Sequence, residues 1–137
     1  MKTMHYRRRV CGLLLAVLGS TLSLSACAIP TDISIQQGGD SQDATYDSCK
    51  AFSLTAKQVA EYFQTADPVE DSEWHGRAVI APCYVEGMMS VGGRQYHWRI
   101  TASGSGYRYL PDSEGQQRYF ICDETSQHMS CNRLFEQ

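Results

Sequence analysis

The chain has 137 residues, of which 42% are hydrophobic and 20% charged, and its formal net charge is −3. That length carries one domain and excludes a multi-pass membrane protein, a large enzyme and a multidomain assembly. Met1–Val10 holds Lys2, Arg7, Arg8 and Arg9 without an acid, and the apolar run GLLLAVLGSTLSL follows at 12–24. A basic stretch before a short apolar run is the layout of a secretory signal, and the run falls short of the roughly 20 residues a membrane span needs. All 15 acids lie further on, so removing those four positive charges takes the net from −3 to −7. An acidic domain repels phosphate backbones, which excludes nucleic-acid binding as a function class. Acidity keeps a protein soluble and speeds encounter with a basic protein partner.

The apolar run ends in Leu24-Ser25-Ala26-Cys27. This segment, residues 1–27, resembles the signal of bacterial lipoproteins with its lipobox. The resemblance implies that 1–26 is removed, that the Cys27 thiol carries a diacylglycerol through a thioether and that the new amino terminus is acylated. Acyl chains contribute about 0.8 kcal/mol per buried CH₂, so several of them would hold a small domain on the bilayer. Ala28 stands where an aspartate retains enterobacterial members at the inner membrane, which implies the outer membrane and a periplasmic or envelope setting.

Residues 27–47 hold Pro30, Gly38-Gly39 and many Gln, Ser and Thr with little apolar periodicity. They read as a flexible tether starting at the lipidated Cys27, spanning roughly 25 Å root-mean-square. The globular domain is then 48–137, a size at which covalent staples help. Cys49, Cys83, Cys122 and Cys131 remain, and an exported chain favours disulfides, with three pairings open. Cys49–Cys83 with Cys122–Cys131 is the preferred set, because it ties the domain's entry to a strand and closes a short C-terminal loop. His128 between Cys122 and Cys131 raises a metal site, but the C-x5-H-x2-C spacing is irregular for zinc.

Thr55 as N-cap and Gln58 as N3 spell a capping box, and Leu54 can staple onto Val59. Val59, Ala60, Phe63 and Ala66 recur at helical spacing, so a helix is expected over about 55–66, ended by Pro68. Glu70, Asp71 and Glu73 before Trp74 read as a solvated loop. Val79, Ala81, Cys83 and Val85 alternate as a strand interrupted by Pro82, and Gly92-Gly93 reads as a hairpin turn. Tyr96, Trp98 and Ile100 then face one way, and His97, Arg99 and Thr101 the other. Ser103-Gly104-Ser105-Gly106 is a turn before Tyr107–Leu110, and residues 111–115 form another before Arg118–Cys122. The expected fold class is α+β: one N-terminal helix packed on a small antiparallel sheet of about four strands, stapled by disulfides.

Enzyme signatures are thin. No G-x-S-x-G, H-E-x-x-H or Walker sequence occurs, His75, His97 and His128 share no ligand spacing, and paired cysteines leave no thiol nucleophile. The chain therefore reads as a non-enzyme, with no catalytic residue, cofactor or metal to nominate. Tyr, Trp and Arg dominate interface hot spots, and residues 74–120 are rich in them, with Trp98 and Arg99 on the strand searched first. Ala102-Ser103-Gly104-Ser105-Gly106-Tyr107 resembles the S-G-x-x-Y motif of the membrane-bound inhibitors of C-type lysozyme, small disulfide-containing lipoproteins with an antiparallel β-barrel. That resemblance implies that Ser103 and Tyr107 contact the lysozyme cleft and that Gly104 shapes the turn.

Together these features point to an outer-membrane-anchored lipoprotein whose small domain binds a protein in the envelope. Its concrete form is an inhibitor or immunity protein against a cell-wall hydrolase, and the alternative is an accessory subunit of an envelope assembly. Cys27→Ser should move the protein from the membrane to the soluble fraction on flotation, whereas unchanged attachment would refute lipidation.

Overall fold

The computed structural model describes residues 28–39, 49–79, 81–112, 116–126, 131 and 133–134. The signal segment 1–26, Cys27 and His128 lie outside the described residues.

The amide of Gln58 donates to Thr55 Oγ1 at 3.2 Å, and the amide of Thr55 donates to Gln58 Oε1 at 2.8 Å. Each bond satisfies an N–H that a helix start leaves without a partner. Helix α1 follows over Ala56–Thr65 and buries Val59, Tyr62 and Phe63. Ala66 is already extended, because Pro68 bars helical backbone at Asp67.

The strands are β1 (Gln36–Gly39), β2 (Asp67–Val69), β3 (Cys83–Val91), β4 (Arg94–Thr101), β5 (Ser105–Tyr109) and β6 (Arg118–Ile121); helix α2 (Asp71–Arg77) follows β2. They form one antiparallel sheet in the order β1-β3-β4-β5-β6-β2. The class is α+β with two disulfides, Cys49–Cys83 and Cys122–Cys131, whose Cα atoms lie 4.9 and 5.6 Å apart. In the chain-entropy account each closure contributes about 2–4 kcal/mol.

Alternation along the strands sends Val85, Met89, Trp98, Ile100 and Phe120 to one face, where they form a single core with Val59, Tyr62 and Phe63 of α1. Phe63 packs edge-on against Phe120 at 5.2 Å and Trp98 at 6.3 Å. Trp98 is 1% exposed. It is therefore a core residue and not a partner contact.

The count of about four strands misses β1 and β2, and the acidic cluster belongs to α2 rather than to a loop. β2 is three residues at a sheet edge, where Pro68 needs no ladder donor. Glu73 pairs with Arg77 at 2.6 Å and Asp71 with His75 at 3.4 Å, the i,i+4 spacing of a helix face. Val79 stands outside β3, with 69% of its surface exposed.

The larger correction concerns the tether. Thr31 and Ser90 exchange both backbone bonds at 2.8–2.9 Å, Ser34 N donates to Met88 O at 2.9 Å, and Met88 N donates to Ser34 Oγ at 3.0 Å. Gln36–Gly39 then pairs with Cys83–Glu86. Between these pairings the segment spends one residue more than β3, a bulge that Asp32 absorbs at φ 49°. Only glycine fits at position 87, since a Cβ there would run into the Ser34 carbonyl. Pro30 is buried and Ile33 packs on the core. Polar backbone pairing, not apolar periodicity, holds this edge, so composition alone made it look like linker.

Tyr62, fully buried, donates its hydroxyl to Gly104 O at 2.9 Å and Phe120 O at 3.2 Å, joining α1 to the β4–β5 turn and β6. A Cβ on Gly106 would stand 2.7 Å from the Arg99 carbonyl and 2.8 Å from the Tyr62 hydroxyl. In urea unfolding, Tyr62→Phe should cost about 1 kcal/mol, since both carbonyls keep backbone donors. Gly106→Ala should cost more, because the Arg99 backbone cannot yield; equal costs would contradict this packing.

Candidate functional site

The face of the sheet away from α1 carries the other half of the alternation. Strand register lines up Gln36, Glu86, Arg99, Tyr107 and Tyr119 across five strands, with Met88, His97 and Tyr109 in the adjacent row. These side chains are set by the two-residue turn Gly92-Gly93, both at positive φ, which places Glu86 directly opposite Arg99.

Helix α2 covers part of this face. Trp74 lies over Tyr119 with ring centroids 4.8 Å apart and is 6.4 Å from Tyr107, edge-on. Arg77 reaches past Glu73 to Asp123, bonding both carboxylate oxygens at 3.2–3.3 Å, and so fastens α2 beside β6. Beyond α2 the carbonyl of Val79 accepts from Ser103 Oγ and, at 3.2 Å, from Ser105 Oγ. Thr101, Ser105 and Ile121 are consequently buried although they face outward.

What stays open is an arginine between tyrosines. The Arg99 guanidinium lies 4.0 Å above the Tyr84 ring and 5.9 Å from that of Tyr107, and donates to Glu86 Oε2 through Nε at 2.9 Å and Nη2 at 2.7 Å. Burial lowers its pKa, and the hydrogen bonds to Glu86 together with the electrostatic pull of Tyr107, Glu86 and Tyr84 outweigh that and raise it. Burial raises the pKa of the Tyr107 hydroxyl, against a smaller opposing pull from Arg99. Tyr107 is thus a neutral phenol at physiological pH, able to donate and accept. His97 stacks on Tyr109 at 5.2 Å and 19°. Glu86, Met88, His97, Arg99, Tyr107 and Tyr109 border an open recess of about 410 Å³.

The resembling segment divides. Tyr107 and Arg99 are neighbours on this face. Ser103 sits in the β4–β5 turn with its hydroxyl engaged by Val79 O and, at 2.9 Å, by Thr101 Oγ1. Gly104 is buried at φ +86°, and a Cβ there would collide with the Cys122 carbonyl. The sheet has edges at β1 and β2, unlike the barrel the resemblance implies. The sequence marks Trp74, Tyr84 and Tyr119 only as members of an aromatic-rich stretch and carries no motif at Glu86.

Among the described residues no group of His, Cys, Asp or Glu is placed to hold a metal, and no helix is long and apolar enough to cross a membrane. Searched against family models, curated proteins and solved structures, the chain matches none.

The Asp123 carboxyl is raised by burial but more strongly lowered by bonds from Thr125 and by Arg77, and ends below the ordinary carboxylate value. A carboxyl depressed by folding adds stability above its unfolded pKa of about 4, and that stability is lost as pH falls through the folded value. Acidification through that range should loosen α2, read as a shift of the Trp74 indole resonance. Asp123→Asn should already show the loosened signal at neutral pH.

Proposed function

We propose that this protein is an envelope lipoprotein, anchored through acylated Cys27 in the outer membrane, whose domain binds another protein through the Arg99–Tyr107 face of its sheet. The observation that carries the binding role is a half-open surface joining Tyr119, Tyr107, Tyr109, His97 and Arg99, backed by the buried Trp74 of α2. Tyr, Trp and Arg supply large contact area at low entropic cost, and a guanidinium stacked on rings is already positioned. Acidic chains elsewhere on the domain favour approach of a basic partner. A cell-wall hydrolase inhibitor is the concrete form, with Tyr107 and Arg99 as contacts and the Ser103 turn as their support. No step of this role requires catalysis, a cofactor or nucleic acid.

The test titrates the secreted, oxidised domain, with Cys27 replaced by serine, into C-type lysozyme. Stoichiometric inhibition is expected, weakened about tenfold or more by Tyr107→Ala and by Arg99→Ala. Absence of inhibition would overturn the hydrolase form. Co-purification with an envelope complex would then favour the accessory-subunit role.

A further inference from the structure

The N-terminal segment leaves no slack between an anchor and the fold. Pro30 is buried, Thr31 and Ser34 are bonded to β3, and the pairing continues to Gly39. Because β1 runs antiparallel to β3, the segment begins at the β3–β4 turn: a Cβ built on Gly92 lies 3.8 Å from that of Ala28. Cys27 is one peptide bond before Ala28. From Cys27 to Pro30 is a span of at most about 10 Å, against the roughly 25 Å of a free tether.

We infer that the β3–β4 turn is a membrane seat: a lipid anchor on Cys27 presses Ala28, Ile29, the Gly92-Gly93 turn and Arg94 onto the lipid surface. This rests on the lipidation proposed above and adds the orientation it imposes. The chemistry of the rim suits a bilayer interface. Ile29 is 61% exposed beside the anchor position, Gly92 and Gly93 present backbone with no side chain, and Arg94 is exposed where phosphates would lie. Two acids stand near this rim: Asp32, exposed beside the Thr31–Ser90 pairing, and Asp112, which borders a shallow recess with Arg94 and Pro111. The nine residues of β3, at about 3.3 Å each, place the β4–β5 turn and Val79 roughly 30 Å away, at the far end of the sheet.

The experiment uses the full chain, lipidated in a bacterial host and reconstituted into vesicles of phosphatidylethanolamine and phosphatidylglycerol with a nitroxide on the headgroup. A fluorescent amino acid replaces Gln95, next to the seat, or Val79, at the far end; both positions are exposed. Quenching should be several-fold greater at Gln95 than at Val79. A Gly-Ser insertion of about 12 residues after Ala28 restores a free tether and should remove the difference. Equal quenching at the two positions in a chain that floats with the vesicles would overturn the seat alone, as would a difference that survives the insertion. An unacylated N-terminal peptide, by mass, in a chain that fails to float would overturn the anchoring and the seat with it.

Discussion

The buried hydroxyl of Tyr62 organises the molecule. It leaves α1 and bonds the carbonyls of Gly104 and Phe120, joining the one long helix to the β4–β5 turn and to β6. A phenol reaching that far needs space, which Gly106 supplies, while Gly104 must approach the Cys122 carbonyl. The Ser-Gly-Ser-Gly stretch thus has a packing cause. Its two glycines make room for a helix side chain and a disulfide-bearing segment, and its two serines tie the chain after α2 to the sheet. A turn held on three sides is a support and not a probe. The proposed recognition role therefore rests on the flat face that the turn stabilises.

Local signals were legible where the physics is local. The capping box and apolar stripe of α1 involve residues within one or two turns, and the Gly92-Gly93 turn sets the β3–β4 register by counting outward. The disulfide set followed from the same reasoning, because one bridge spans a short loop and the other joins the domain's start to a strand. Residues 30–39 obey different physics. Their hold is a row of backbone bonds to β3, made by Thr31, Ser34 and Gln36, whose side chains carry no period that a sequence reader could detect. β2 is equally silent: three residues including a proline, meaningful only because β6 lies beside them.

The site was half legible for a related reason. Alternation told which residues share a face, so Tyr96, Trp98 and Ile100 were separated from His97 and Arg99 on sequence grounds. Which face is covered depends on α1 and α2. Trp98 went under α1, with no surface left for a partner, while Arg99 on the opposite side remained half exposed. Trp74 became part of the site only because Asp71–Arg77 is helical and Arg77 finds Asp123, a contact spanning 46 residues that no local pattern encodes. Glu86 is the instructive omission. Its position opposite Arg99 follows from the turn already read, and a carboxylate facing an arginine across a hairpin is the cross-strand pairing that strands favour.

The same covered and open faces bear on how an anchored domain would meet a partner. The Arg99–Tyr107 row crosses the strands between the β3–β4 turn at one end and the β4–β5 turn at the other, closer to the second. With the first of those ends seated on lipid, the row would stand above the headgroups on the side of the domain, neither buried against the bilayer nor at its tip. A partner would then approach along the membrane surface. A short, locked N-terminal segment also narrows the orientations that the face can sample. Restriction of that kind lowers the entropic cost of docking for a partner that is itself held at the membrane, and gives no such gain for one arriving freely. The polar pairing that made residues 30–39 look like a linker is what would make the anchor directional.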